Sequence, residues 1–261
     1  PLYYLLAVPV YRATNGSLLA LRLFSLVIGA GVVIFSGLAV QILFSSSVPL
    51  VLATAGFVAF LPQHVAMMAA VNNDSLAELW GAVTLWLLFR SSNSASRGEH
   101  RIFWVLGLVI GMIFLTKATV YPVALTVGLI LVWRTLLGRG NWAHLFRVFV
   151  PALVLGMLWW GRNLLVYGWP DFLGLLRHDS VVVGQLRTDE WLSQHGVIEA
   201  ISLFIGTSFN SFWGQFGWMG VPMSASIYHM LIVFCTIVLV GLGMVSRMRP
   251  PMSEKQMDAL L

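Results

Sequence analysis

Three places in this chain put side chains that could do chemistry against long apolar runs. The first is Val71-Asn72-Asn73-Asp74-Ser75-Leu76-Ala77-Glu78. A carboxylate at the edge of a hydrocarbon slab is costly to hold unless something satisfies or uses it. Asp74, with Asn73 beside it, could hold a sugar hydroxyl or a divalent metal. The same residues also fit a helix start, because Ser75-x-x-Glu78 has capping-box spacing. Glu78 lies one turn beyond Asp74 on the same helix face.

The second place is Lys117, an ammonium between two short apolar runs. It can snorkel to headgroups or serve as counter-charge to a phosphate at the membrane surface. The third is Arg162-Asn163, directly after Trp159-Trp160. Arginine forks to phosphate oxygens and asparagine adds a neutral donor. A further segment, Phe212-Trp213-Gly214-Gln215-Phe216-Gly217-Trp218-Met219-Gly220-Val221-Pro222, offers rings that could stack on sugars, or equally an aromatic membrane belt. His64 and the His178-Asp179 pair are weaker signals, since an isolated histidine is more often structural.

Composition sets the frame that must position these groups. Of 261 residues, 59% are hydrophobic and 10% charged, with mean hydropathy +0.87. Soluble domains carry about 25% charged residues. The expectation is an all-α, polytopic transmembrane helical bundle forming a single domain over 1–261. The alternating pattern of a membrane barrel is missing. The net charge of +5 is dispersed through short loops, which excludes a nucleic-acid surface and reads as topology. One cysteine, Cys235 in an apolar run, excludes a disulfide framework.

Seven apolar runs are expected to span, at 21–44, 48–70, 76–89, 102–115, 120–133, 146–166 and 228–245. Each approaches the roughly 20 residues a bilayer requires. Pro62 should kink the second run, and Gly29-Ala30-Gly31 reads as a helix-packing surface. Segment 1–10 is short and carries Tyr3 and Tyr4, which suits an interfacial helix. Segment 167–223 reads as a long outer loop, its 197–212 part amphipathic and interfacial.

Nine of the fifteen basic residues, Arg90, Arg97, Arg101, Arg134, Arg139, Arg147, Arg247, Arg249 and Lys255, fall in two short loops and the tail. The positive-inside rule makes that side cytoplasmic. Asp74, Lys117, Arg162 and the Trp-Gly segment then share the extracytoplasmic face. Nucleotide loops, zinc-protease motifs and nucleophile elbows do not occur.

Pro1-Leu2-Tyr3-Tyr4-Leu5-Leu6 and Arg22-Leu23-Phe24-Ser25-Leu26 resemble segments of the polyprenyl-phosphate-dependent glycosyltransferases of GT-C fold. That group includes protein O-mannosyltransferases and aminoarabinose transferases. Phe60-Leu61-Pro62-Gln63, Asn72-Asn73-Asp74, Leu115-Thr116-Lys117 and Gly161-Arg162-Asn163…Tyr167-Gly168 also resemble that pattern. The Val-Asn-Asn-Asp and Trp-Gly-Gln-Phe-Gly-Trp versions look nearest to a bacterial branch.

The resemblance implies inverting sugar transfer from a polyprenyl-phosphate donor to a glycan, lipid or protein acceptor. The work would be done on the outer face of a bacterial plasma membrane. It implies catalytic Asp74 with Asn73, and donor or acceptor contacts from Lys117, Arg162, Asn163, Tyr3, Tyr4, Trp213 and Gln215. No cofactor is certain; a divalent metal at Asp74 is allowed. It also implies a principal carboxylate base upstream of Pro1, so the chain is expected to be a fragment. The competing expectations are a transporter or lipid flippase, and a non-catalytic membrane protein. Transporters show broken midplane helices and repeats, which are not apparent in the sequence.

Overall fold

The computed structural model describes residues 1–95, 100–184, 187–217 and 219–248. Arg97, Trp218, Arg249 and Lys255 lie outside the described residues. Among the described residues the chain is helical apart from one two-stranded ribbon. In order it forms α1 (Leu2–Ala13), α2 (Leu18–Leu43), α3 (Val48–Phe60), α4 (Pro62–Met68), α5 (Asp74–Ala95), α6 (Arg101–Thr116), α7 (Tyr121–Leu136), α8 (Trp142–Tyr167), α9 (Leu175–Val181) and α10 (Thr188–Gly214). The antiparallel ribbon β1 (Gln215–Phe216) and β2 (Val221–Pro222) precedes α11 (Ala225–Met248).

Among the described residues, four helical stretches are long and apolar enough to cross a membrane: Leu18–Leu43, Ala118–Leu136, Trp142–Tyr167 and Ala225–Met244. Twenty-six residues of α2 or α8 reach roughly 39 Å at 1.5 Å per residue, against a hydrocarbon core of roughly 30 Å. Their outward faces carry exposed Val27, Ile34, Leu158 and Leu165, a surface suited to lipid and mismatched to water. The chain is a membrane protein by these helices.

A fifth span forms if α3 and α4 count as one, bent by 61° at Leu61-Pro62. The bend is where Pro62 was expected to kink the chain, and its cause is local. Proline cannot donate to the preceding turn and pushes the residue before it out of the helical region, and Leu61 is extended. The runs at 76–89 and 102–115 belong to helices of another kind. α5 is 22 residues long but carries Asp74, Glu78 and Arg90, and α6 has 16 residues.

Close approach of α6 to α8 fixes the core. A Cβ on Gly107 would collide with the Val148 carbonyl and sit 2.6 Å from the Pro151 ring. Small residues let such backbones meet where lipid supplies no hydrophobic drive between helices. Phe103, Leu106, Ile110, Ile113, Val127 and Val148 fill the space among α5–α8. On α2, Gly29 faces Met68 of α4 and Gly31 faces Leu79 of α5, so the Gly-Ala-Gly stretch does serve packing.

Cross-helix contacts also fix which ends of the bundle coincide. Phe103 stacks on His144 with ring centroids 3.9 Å apart, and Arg134 reaches Ser92 at 3.0 Å. At the opposite end, Tyr3 meets Ser25, Asn73 meets Thr116, and Phe114 packs on Trp160. The start of α2, the start of α5 and the ends of α6 and α8 therefore share one end. Segment 167–223, read from sequence as a loop, is largely helical: α10 alone runs 27 residues, broken at Gly196 with φ 70°.

Candidate functional site

The start of α5 is built by Asn72-Asn73. The Asp74 backbone N–H donates to Asn72 Oδ1 at 3.0 Å, and Ser75 Oγ donates to the Asn72 carbonyl at 3.1 Å. The Asn73 carbonyl accepts from Ala77 N–H at 3.1 Å, which makes Asn73 the residue that opens the helix. Its side chain donates to the Thr116 carbonyl at 3.3 Å, tying α5 to the end of α6. Capping of α5 is thus done by the asparagines, and the Asp74 carboxylate is released from it.

That carboxylate accepts from Lys117 Nζ. Lys117 sits where α6 ends in extended backbone. Both side chains are about one-third exposed, 29% for Lys117 and 33% for Asp74, so the pair faces outward from the core and is open to a ligand. Glu78 does not close a capping box. One turn on, its Oε2 accepts from His64 Nδ1 at 2.6 Å. His64 is buried, 7% exposed, at the head of α4. The adjacent Gln63 uses its Oε1 to accept the Gln215 N–H at 3.0 Å, which docks the ribbon on α4.

In the sequence His64 is a weak signal, and Glu78 is either a second carboxylate on the face of Asp74 or the close of a capping box. The visible signal was a histidine two residues beyond Pro62 and a second carboxylate one turn beyond Asp74. Their pairing across fourteen residues is made by the connection at 69–73, which turns the chain from α4 back onto α5.

The other candidates fall into different settings. Tyr3 is fully buried against Ile28 and Leu76, its hydroxyl 2.7 Å from Ser25 Oγ. Burial pushes its phenol above the ordinary value, with the Ser25 bond opposing. Tyr4 is half exposed and meets Tyr3 edge-on at 5.2 Å. Trp213 is buried among Phe57, Phe209, Phe212 and Phe234, so its faces pack the protein. Gln215 Nε2 donates to the Met219 carbonyl at 2.8 Å and closes the ribbon turn, while its Oε1 is buried with no hydrogen-bond partner among the described residues.

At the end of α8, Asn163 is buried and donates to the Phe172 carbonyl at 2.9 Å. Arg162 is exposed; its Nη1 donates to Asn163 Oδ1 at 3.1 Å and to the Tyr167 hydroxyl at 2.9 Å, and its plane lies over the Trp159 and Tyr167 rings. Buried Asp171 accepts from the Leu176 and Arg177 N–H groups and anchors the start of α9. Arg162 and Lys117 share the bundle end without touching. Tyr121, four residues beyond Lys117, and Trp160, two before Arg162, are joined by a 3.2 Å bond from Trp160 Nε1 to the Tyr121 hydroxyl.

A divalent metal at Asp74 fits poorly. An ammonium already occupies its Oδ1, and among the described residues no three His, Cys, Asp or Glu side chains converge as a metal site would need. The arrangement does offer an ion pair, Asp74–Lys117, and a carboxylate–imidazole pair, Glu78–His64, whose carboxylates stand one turn apart on α5. No family model, curated protein or solved structure matches the chain.

Proposed function

We propose that this chain is a membrane glycosyltransferase of GT-C type, its working face extracytoplasmic, that moves a sugar from a polyprenyl-phosphate donor to an outer acceptor with inversion. The observation that carries the reading is the gathering of Asp74–Lys117, His64–Glu78 and Arg162 at one end of an apolar bundle. A lipid-linked donor keeps its chain in the bilayer and presents its phosphate at that level. Departure of a phosphate needs cationic stabilisation placed in advance, and Lys117 and Arg162 supply it. An acceptor hydroxyl needs a group to take its proton.

In this reading Asp74 holds Lys117 in position and orients an acceptor hydroxyl through its second oxygen. The acceptor oxygen forms the new bond to the anomeric carbon as the bond to the phosphate oxygen breaks, and the electron pair leaves with the polyprenyl phosphate. The test is transfer of radiolabelled sugar from a polyprenyl-phosphate donor in proteoliposomes, compared with Asp74→Asn. The expected outcome is that the variant inserts and folds but transfers nothing; full transfer by Asp74→Asn would remove Asp74 from the chemistry.

A transporter is the second reading, and one observation favours it. The 61° break between α3 and α4 is the kind of discontinuous helix that transporters use, and His64 follows it directly. Accumulation of labelled lipid or solute by proteoliposomes without glycosidic bond formation would select that reading.

A further inference from the structure

We propose that His64 and Glu78 form the proton-accepting dyad of this site, with His64 Nε2 as the base that deprotonates the acceptor hydroxyl. The inference rests on the glycosyl-transfer reading and adds a residue to it. An ionised carboxylate only accepts hydrogen bonds, so at 2.6 Å from Glu78 Oε2 the Nδ1 atom carries the proton. Neutral imidazole then has its lone pair on Nε2. That atom makes no hydrogen bond among the described residues, in a ring that is 7% exposed.

This is the division of labour that a histidine base requires: one nitrogen oriented by a carboxylate, the other free. The carboxylate fixes the tautomer and stabilises the imidazolium that forms. Asp74, by contrast, has an oxygen committed to Lys117.

The dyad is held from both sides. α4 is locked behind the Leu61-Pro62 break and by the Gln63–Gln215 bond, and Glu78 stands one turn below Asp74 on α5. Few charges surround it. α5 contributes Glu78 and Asp74, and the end of α6 contributes Lys117, already paired. α3, β1 and residues 200–214 of α10 carry none; on α2, Arg22 lies two turns before Gly29, where that helix meets α4. During transfer the hydroxyl proton passes to Nε2 as the acceptor oxygen bonds the anomeric carbon. The bond to phosphate breaks, and the imidazolium later returns its proton to solvent.

The experiment compares the full chain with His64→Asn and Glu78→Gln in the proteoliposome transfer assay across pH. His64→Asn keeps a donor at the Nδ1 position and removes the base. It is expected to lower kcat by about a hundredfold to ten-thousandfold with little change in donor KM, and to erase the acidic limb of the pH–kcat profile. Glu78→Gln removes the anion that favours imidazolium, so the limb moves to lower pH and kcat falls less. If His64→Asn does not fold, the Glu78→Gln shift decides alone. Unchanged kcat in His64→Asn, or an acidic limb that stays in place in Glu78→Gln, overturns the dyad while wild-type transfer upholds the wider reading. A wild-type protein that transfers no sugar overturns both.

Discussion

Two polar regions at the same end of the bundle are built on opposite plans. At the start of α5, charged groups find partners far along the chain: Asp74 meets Lys117 across 43 residues and Glu78 meets His64 across 14. At the end of α8, polar groups are satisfied by near neighbours. Arg162 bonds residues one and five positions on, Asn163 one nine positions on, and Asp171 backbone N–H groups five and six positions on. Local bonding of that kind makes a rigid corner, closing α8 onto α9. Long-range pairing of this kind draws three elements, α4, α5 and the end of α6, together at one point, and the stabilising return of the exposed Asp74–Lys117 pair is small. Groups so arranged, against the cost of carrying charge beside a membrane, are the better candidates for function.

The contrast can be broken in four ways. The largest effect should come from Asp74→Asn, which is expected to abolish transfer with the thermal unfolding midpoint within a few degrees of wild type. A midpoint collapse would make the α5 end structural as well.

Next is Asn163→Ala in the opposite region. It leaves the Phe172 carbonyl without its buried donor, a loss of about 1–3 kcal/mol. Unfolding in detergent should show that loss, and donor affinity per folded molecule should stay within about twofold. Affinity lost with stability retained would turn the α8 corner into a binding site.

Arg162→Ala sharpens the same boundary. Its Nη1 is committed to Asn163 and Tyr167, while Nη2 and Nε have no bond among the described residues. Donor KM is expected to rise about tenfold, worth roughly 1.4 kcal/mol, with acceptor KM unchanged; equal rises would assign Arg162 to structure. The smallest effect is the coupling between Asp74 and Lys117. A stability cycle of Asp74→Asn, Lys117→Met and the double variant should give less than about 1 kcal/mol. A larger value would mean that the pair holds the bundle together.

Much of this was legible in the sequence at the level of elements and little at the level of pairs. The start of α5 at Asn73-Asp74, the break at Pro62 and the packing role of Gly29 and Gly31 follow from local stereochemistry and hydropathy. The capping box expected over Ser75–Glu78 shows where local rules end. Ser75 bonded back to Asn72, and Glu78 turned to an imidazole of α4, 2.6 Å away across the α4–α5 connection. Trp213 shows the same limit from the apolar side. A ring in a Gly-rich segment could have faced a ligand, and four phenylalanines enclosed it instead.

The sequence by itself determined an all-α membrane protein whose charged groups sit at the margins of apolar runs, because hydrocarbon tolerates only satisfied backbone and few charges. Tertiary structure alone decided which of those groups meet. Helix register is fixed by packing between α2, α4, α5 and α6, and no spacing within one segment encodes the distance between two side chains on different helices.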